Sequence, residues 1–575
     1  MLGWATVIAV ALIGCLAWVG VHATLSLSRM AEARSSAPSV IAAFSSDPAS
    51  GTATAALRAL KQRLDSAGSV IGDPLWMAAE GIPVAGENLR SYRLTVEGLS
   101  DAVGNGLIPV APAIGRLSSA LSLTSGSVDL GAVSAEAVTL SRATAALDTS
   151  LTTLAEASAG GVIEPLAAAT TQAQTLVEEL RGGVGGLATA ARLLPSALGS
   201  DAPRRYGLLF ANNAELRTTG GIAGALSELT ADHGTVALGR QLTPTDLNPS
   251  EPFEPTPSER ALFGTRTGAY VQDVDLTPDF ARAAELAAAM WQRSQGEALD
   301  GIIRVDAVTL SGLLRETGPM SVGGVTLTAD NATEQLLNAV YLRLPDPAAQ
   351  DAFFADVTRA VYDKVLHGGS STTAVLRALG VSAEQGRLSL WMAEPALRKE
   401  LEGSALSGPL GRLAEAGSPV GVYFNDGTGA KMSYYLRGSI GAELVCRAGG
   451  RGAAGIRVTT RLTSTAPANS ADGPWYLTGG GSFVPAGTVR TQLLLAGVPA
   501  LQLDTVTVDG KPAEVATVAI AGHPIAAVTV DLLPGASATV VGSFATSAPR
   551  ISLDRVIATP TATPLQLQVS PQSCG

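Results

Sequence analysis

Residues Leu2 to Leu27 contain no Asp, Glu, Lys or Arg, and an apolar run of that length crosses the roughly 30 Å hydrocarbon core of a bilayer as one helix. The pattern predicts a single uncleaved membrane anchor over residues 1–28. Neither a basic start nor a small-residue cleavage site, the marks of a signal peptide, is evident. Leu12-Ile13-Gly14-Cys15 resembles a lipoprotein cleavage box, but no basic residue precedes it and Leu16 to Val21 continue the apolar run. Beyond the anchor, apolar positions fall into the helical period. Thr54 to Ala67, Ala135 to Ser158 and Glu164 to Arg181 are helix-compatible. In the second of these, Leu140, Ala143, Leu147, Leu151 and Leu154 recur at threes and fours, a stripe that serves as core or coiled-coil seam. Residues 29–200 are expected to form a helical stalk or bundle, with turns at Asp73 to Trp76 and Gly81 to Pro83.

From residue 201 to 441 strand-like and helix-like patterns alternate, which predicts an α/β core domain. Tyr206 to Phe210 and Ile222 to Thr230 read as strands, and Asp232-His233-Gly234 turns the second into Thr235 to Leu238. Thr277-Pro278-Asp279 opens a helix. Ile302 to Val305 reads as a strand, Asp306 as an N-cap, and Gly318-Pro319 as the stop of the next helix. Gly323-Gly324 joins a short hairpin, and Asp346-Pro347 opens a helix to about His367. Over residues 442–550 the period becomes that of strands, predicting a β-sandwich-like domain, and residues 551–575 read as an extended tail. The fold class is therefore multidomain α+β.

Composition narrows the partners. A formal net charge of −11 and pI near 5.0 argue against nucleic acid, which rewards a basic surface. The three cysteines comprise Cys15 in the apolar run, Cys446 and Cys574. The last two form either a disulfide, which persists only in an oxidising compartment, or two separate thiols. Arg29 and Arg34 after the anchor favour a cytoplasmic C-terminus by the positive-inside bias, although long domains cross largely regardless of charge. The cysteines favour a cell-membrane protein with most of the chain extracytoplasmic.

Familiar catalytic signatures are missing. With four histidines there is no His-Glu-x-x-His helix and no Gly-x-Ser-x-Gly elbow. The densest polar stretch follows the first strand of the α/β region: Asn212, Asn213, Glu215, Arg217, Thr218 and Thr219, closed by Gly220-Gly221. Arg217 suits a phosphate or carboxylate, and two glycines permit close backbone approach. The same residues equally suit an internal ion pair with the asparagines satisfying backbone groups. Asn425 to Lys431 reads as a Gly-rich hairpin between Val422 to Phe424 and Tyr434 to Leu436, or as an anion site with Lys431 and backbone N–H groups. Asp273 and Asp275, with Asp279 nearby, carry the oxygen ligands that a divalent cation such as Mg²⁺ prefers; a turn and a helix start explain Asp275 and Asp279 as well.

Three stretches in order, YGLLFANNAELRTTGG (Tyr206 to Gly221), LDGIIRVDAVTLSGLLRETGP (Leu299 to Pro319) and VYFNDGTGAKMSYYL (Val422 to Leu436), resemble the bacterial family called domain of unknown function 4012, over about Asp73 to Leu436. The resemblance implies a membrane-anchored envelope protein of actinobacterial type whose biochemical role is unassigned. More weakly, Leu299 to Val322 is similar to a passage of LytR-CpsA-Psr proteins, which transfer glycopolymers from a polyprenyl-phosphate carrier to peptidoglycan using arginines, an aspartate and a divalent cation. That likeness implies such parts for Arg217, for Asp273 or Asp275, and less readily for Arg304, yet the arginine-rich motifs of that family are missing. Three expectations follow: binding of an anionic envelope glycopolymer or a lipid-linked precursor through Arg217 and Lys431, phosphotransferase chemistry, or a structural and adhesive role.

Overall fold

The computed structural model describes residues 25–30 and 50–570, with breaks at 84, 123–126, 159–160, 369–370, 415–417, 448–451 and 549–550, together with Glu32, Ser35, Ser39 and Cys574. The anchor expected over residues 1–28 lies, but for its last residues, outside them. Among the described residues no helix is long and apolar enough to cross a membrane. The chain divides into two compact units, residues 1–202 and 203–575.

The first unit is helical: α1 (Gly51–Ile71), α2 (Pro74–Ala79), α3 (Ala85–Asp101), α4 (Ile108–Ala120), α5 (Leu130–Ala157) and α6 (Glu164–Ala197). The Asp73 side chain caps α2 and Pro74 takes its first position, where a missing N–H costs nothing. Leu140, Leu147 and Leu154 of α5 are fully buried and meet Val177, Val184 and Ala188 of α6. The sequence pattern weakens at Arg181, yet α6 runs on to Ala197 through Gly182, Gly183, Gly185 and Gly186. Each glycine costs about 1 kcal/mol relative to alanine in a helix. Burial of Val184, Ala188 and Ala191 offsets that cost.

The second unit opens with a five-stranded sheet in the order β3-β2-β1-β4-β7, built from β1 (Arg204–Asn212), β2 (Ile222–Asp232), β3 (Thr235–Leu242), β4 (Gly301–Asp306) and, later in the chain, β7 (Leu388–Met392). Strands β1 and β4 are parallel and the other pairs antiparallel. Left-handed backbone at His233 and Gly234 closes the β2–β3 hairpin in the mirror-image turn that matches strand twist. Helices cover both faces. On one, α7 (Phe280–Gln295) presses Phe280, Met290 and Trp291 against Leu209 and Ile302. On the other, α8 (Ala307–Thr317), α9 (Pro347–Leu366) and α10 (Thr372–Glu384) pack around Leu310, Tyr341 and Phe353. A small hairpin, β5 (Met320–Val322) and β6 (Val325–Leu327), follows α8.

The rest is a two-sheet sandwich. One sheet has the order β13-β12-β16-β10-β9-β18 and the other β14-β15-β11-β8-β17. The strands are β8 (Val420–Asp426), β9 (Leu436–Cys446), β10 (Ala453–Ser464), β11 (Val489–Gly497), β12 (Leu501–Val508), β13 (Lys511–Pro512), β14 (Ala516–Ile520), β15 (His523–Leu532), β16 (Ser537–Thr546), β17 (Ile557–Ala558) and β18 (Gln566–Val569). Val422, Phe424, Ile440, Val458, Leu493 and Phe544 meet in its core.

Three sequence expectations are corrected here. The sandwich does not begin at residue 442: β8, drawn from the 201–441 region, lies within it. Every residue of β8 is buried, so both of its edges need partners, and β11 and β17 supply them. Residues 551–575 are not only a surface tail, since β17 and β18 add parallel strands to β8 and β9 and Thr559 and Thr561 are buried. The Asn425 to Lys431 stretch is not a hairpin loop, because β8 and β9 belong to different sheets and a tight turn over Met432–Tyr435 carries the chain between them. Cys446 at the end of β9 forms a disulfide with Cys574, so the tail that delivers β18 to β9 is also tied to it covalently.

Candidate functional site

The polar stretch after β1 begins at a bulge between Phe210 and Ala211. Asn212 turns the chain: its Oδ1 accepts from Ala214 N at 3.0 Å, and its Nδ2 donates to the Tyr341 hydroxyl. The return to β2 needs two glycines. Gly220 has φ +128°, and a Cβ on Gly221 would sit 2.3 Å from the Asn212 carbonyl oxygen. Between these points the chain turns inward, so all of Asn212 to Gly221 is buried.

Inside lies an alternating row of charges. Lys431 Nζ donates to Glu215 Oε2 at 2.5 Å, and Glu215 Oε1 accepts from Arg217 Nη2 at 3.0 Å. Arg217 donates to Asp273 Oδ1 from Nε at 3.1 Å and from Nη2 at 2.7 Å. Arg266, on a short turn before Asp273, donates to its two oxygens at 2.9 and 3.1 Å and is half exposed. The side chains of Arg217, Glu215, Lys431 and Asp273 are only 2–8% exposed. Lys431 also lies over the Tyr476 ring, 5.1 Å from its centre.

The charges set one another's protonation. Burial works against ionised Glu215, yet Lys431 and Arg217 outweigh it and hold the carboxyl below its ordinary value. Burial likewise works against the Arg217 and Lys431 cations; Asp273 and Glu215 for the first, and Glu215 for the second, overcome it and raise both. Burial pushes the Tyr341 hydroxyl up to about 12. Asp426 is raised by burial and by Glu215, against four groups that donate to it: Thr428 N, Thr428 Oγ, Gly429 N and Ser433 Oγ.

Two further knots tie this loop down. Asn213 Nδ2 donates to Gly220 O, Asp306 Oδ2 and Pro560 O. Asp306 caps α8 through Thr309 and accepts from Arg387 at 2.6 Å. Thr218 N donates to Asn425 Oδ1, and Thr218 O accepts from Thr559 Oγ at 2.7 Å. Arg304 and Asp275, both fully buried, meet at 3.2 Å. Burial raises the Asp275 carboxyl despite Arg304, and Arg304 Nη1 and Nη2 have no hydrogen-bond partner among the described residues. The loop thus joins the five-stranded sheet to β8 and β17 by side-chain and backbone bonds from both.

The predicted site residues are therefore placed as follows. Glu215, Arg217 and Lys431 come together, but face one another instead of a cleft. Asn212 and Asn213 bond the protein's own groups. Asp273 and Asp275 do not converge, because each is taken by arginine: Arg217 and Arg266 for the first, Arg304 for the second. Among the described residues no group of three or more His, Cys, Asp or Glu is arranged to hold a metal ion. A guanidinium supplies at each carboxylate the positive charge that a divalent cation would bring. Sequence reasoning misses Arg266 and Arg387, and it reads Asp306 only as an N-cap and Asn425 only as the start of a Gly-rich stretch; the signal for their part here is polar residues inside otherwise apolar strands, as in Arg304-Val305-Asp306.

Beside Arg266 the surface opens into a recess of about 200 Å³, lined by Phe263, Asn425, Asp426, Arg490 and Gln492 among others. Arg490 donates to both oxygens of Asp531 at 2.7 and 2.6 Å. In the helical unit a larger and more open furrow, about 630 Å³, runs between α5 and α6 and is lined mostly by Ala, Val and Ser with Arg142 and Arg192.

A family model described as protein of unknown function (DUF4012) matches residues 201–341. That span takes in β1 to β6, and with them Glu215, Arg217 and Asp273; the third motif, Val422 to Leu436, lies beyond it. No curated protein matches the chain.

Proposed function

From the match of residues 201–341 to the DUF4012 family model, we propose that the chain is a single-pass, membrane-anchored protein of the cell envelope that holds an anionic glycopolymer without transforming it. In this reading the bulk of the chain is extracytoplasmic, and the family motif is an internal brace. The closed row Lys431–Glu215–Arg217–Asp273 carries the proposal. Were Arg217 to leave for a phosphate, two buried carboxylates would lose charged partners, at a cost of about 3–5 kcal/mol. That cost also weighs against the LytR-CpsA-Psr-like transfer reaction, which needs an arginine and an aspartate open to a lipid-linked pyrophosphate. Exposed groups outside the row are left to meet the polymer. Support for the compartment comes from the charge-free run Leu2 to Leu27 and from the Cys446–Cys574 bond, which needs an oxidising environment to persist.

The test uses the full chain in detergent micelles, applied to beads bearing a sugar and glycerol-phosphate wall polymer. Retention is expected, and a chain that passes through unretained would overturn the binding role. Alkylation of Cys446 and Cys574 in isolated membranes checks the compartment: labelling is expected only after reduction, and free thiols would contradict it.

A further inference from the structure

The two most exposed large apolar side chains among the described residues are Phe483, 70% exposed, and Trp475, 65% exposed. Both sit on the connection between β10 and β11. Three successive glycines, Gly479 to Gly481, all have positive φ and fold this connection onto the Gly427 to Ala430 turn. A Cβ on Gly479 would meet Ala430 at 3.2 Å, one on Gly480 would strike Trp475, and one on Gly429 would meet the Phe483 ring at 3.1 Å. Arg490 Nη1 reaches the Phe483 carbonyl at 3.4 Å, and Arg490 also lines the recess beside Arg266. The Phe483 backbone is thus tied to a residue that lines the recess, and its ring packs on the Gly427 to Ala430 turn whose first residue also lines it; Trp475 lies on the same loop.

We propose that this loop and recess form a saccharide-binding site, with Phe483 and Trp475 as platforms for sugar rings and Arg490, Arg266 and Gln492 as hydrogen-bonding groups for their hydroxyls. The inference rests on the glycopolymer reading above and says how the polymer is gripped. The alternating C–H faces of a sugar suit an exposed aromatic ring, and its hydroxyls suit planar side chains with several donors. The guanidinium groups in the recess are already matched, Arg266 by Asp273 and Arg490 by Asp531. They offer donor edges with little net charge, which fits a polyhydroxylated ligand better than a bare phosphate. Gln492 keeps only long bonds, 3.3 Å from Asn425 and 3.3 Å to the Leu262 carbonyl, and such bonds exchange readily for ligand hydroxyls. The volume, about 200 Å³, is below the roughly 300 Å³ at which pockets for drug-sized ligands begin, and suits one monosaccharide unit. The net charge of −11 also disfavours a grip driven by the polymer's negative charge.

Trp475 provides the readout, because Trp76, Trp291 and Trp391 are buried and a Trp475→Phe background subtracts Trp4 and Trp18 of the apolar run. The full chain in detergent micelles is titrated with a neutral hexose tetrasaccharide, its uronate counterpart, inorganic polyphosphate, or vesicles of zwitterionic and anionic lipid. Iodide quenching is followed against a Trp475→Phe background. Both saccharides are expected to shield Trp475 with affinities within about threefold of each other, and Phe483→Ala and Arg490→Gln each to weaken binding about tenfold. Phe483 is exposed and the Arg490–Asp531 pair lies at the surface, so neither variant should unfold the protein. Shielding by polyphosphate or vesicles alone, or saccharide affinities unchanged in both variants, would overturn the site. If beads still retain the chain while no saccharide shields Trp475, this inference fails and the glycopolymer reading stands. If beads retain nothing and no saccharide shields Trp475, both fall.

Discussion

Replacing Arg217 by methionine keeps most of the side-chain volume and removes the middle cation of the buried row. Asp273 Oδ1 loses two donors and Glu215 Oε1 loses one. The Leu216 carbonyl loses Arg217 Nη1 but keeps Asp426 N at 2.8 Å. Each stranded carboxylate retains one cation, Arg266 or Lys431, so neither is wholly uncompensated. Hydrogen bonds to charged groups contribute about 1.5–3 kcal/mol each, and breaking one side of a buried pair costs about 3–5 kcal/mol. A loss of about 3–4 kcal/mol is expected, from the unit spanning residues 203–575 and not from the helical unit. Since a two-unit chain need not unfold in one step, the assay is hydrogen exchange in the full-length protein in micelles, read on peptides covering Val420–Asp426 and Arg204–Asn212. Protection there should fall by about two to three powers of ten, while peptides of Leu130–Ala157 stay unchanged. Unaltered protection in the β1 and β8 peptides would refute the bracing role of Arg217.

Acid should act on the same row. Glu215 has its folded value lowered from an ordinary value near 4.5, so its stabilisation is complete above that value and is lost as pH falls through the folded value. Asp275 and Asp426 are raised and act with opposite sign, stability falling as pH rises through their window. The difference between wild type and Glu215→Gln in urea titrations below pH 5 should isolate the Glu215 term, as a shallower acid loss in the variant. Reduction of Cys446–Cys574 opens a loop whose ends are 128 positions apart in sequence, worth up to about 5 kcal/mol in the chain-entropy account. Exchange should rise first in Gln566–Val569, whereas the buried Thr559 to Ala562 segment stays protected. Gly221→Ala drives a methyl into backbone, 2.3 Å from Asn212 O, and should cost about 3 kcal/mol by thermal denaturation. Gly224→Ala, with only ordinary contacts at 3.7 Å, should be near neutral.

The sequence showed periodic elements well and long-range partnerships poorly. The α5 stripe of Leu140, Leu147 and Leu154, the Asp346-Pro347 start of α9 and the Gly323-Gly324 hairpin are local patterns, and each is present as a local structure. The placement of β8 was not legible, because a strand buried on both faces carries no alternation to say which sheet owns it. Nor could the tail's two short strands be seen, since β17 and β18 exist only by pairing with strands more than a hundred residues earlier. At the site, residue types drew attention to Glu215, Arg217 and Lys431, but their meaning depended on Asp273, which takes up Arg217 from another segment and is itself paired with Arg266. A charged loop bounded by glycines looks alike whether its charges face solvent or one another. Only the fold decides, and here Gly220 and Gly221 turn the loop inward.

Whether Arg217 braces the fold or grips a ligand is tested most directly by the affinity of Arg217→Met for the immobilised anionic glycopolymer, measured on protein shown by exchange at Val420–Asp426 to be folded. A bracing role predicts an affinity within about twofold of wild type, despite lower stability. A loss of tenfold or more in the folded protein, about 1.4 kcal/mol of binding, would contradict it and make the family motif the binding site itself.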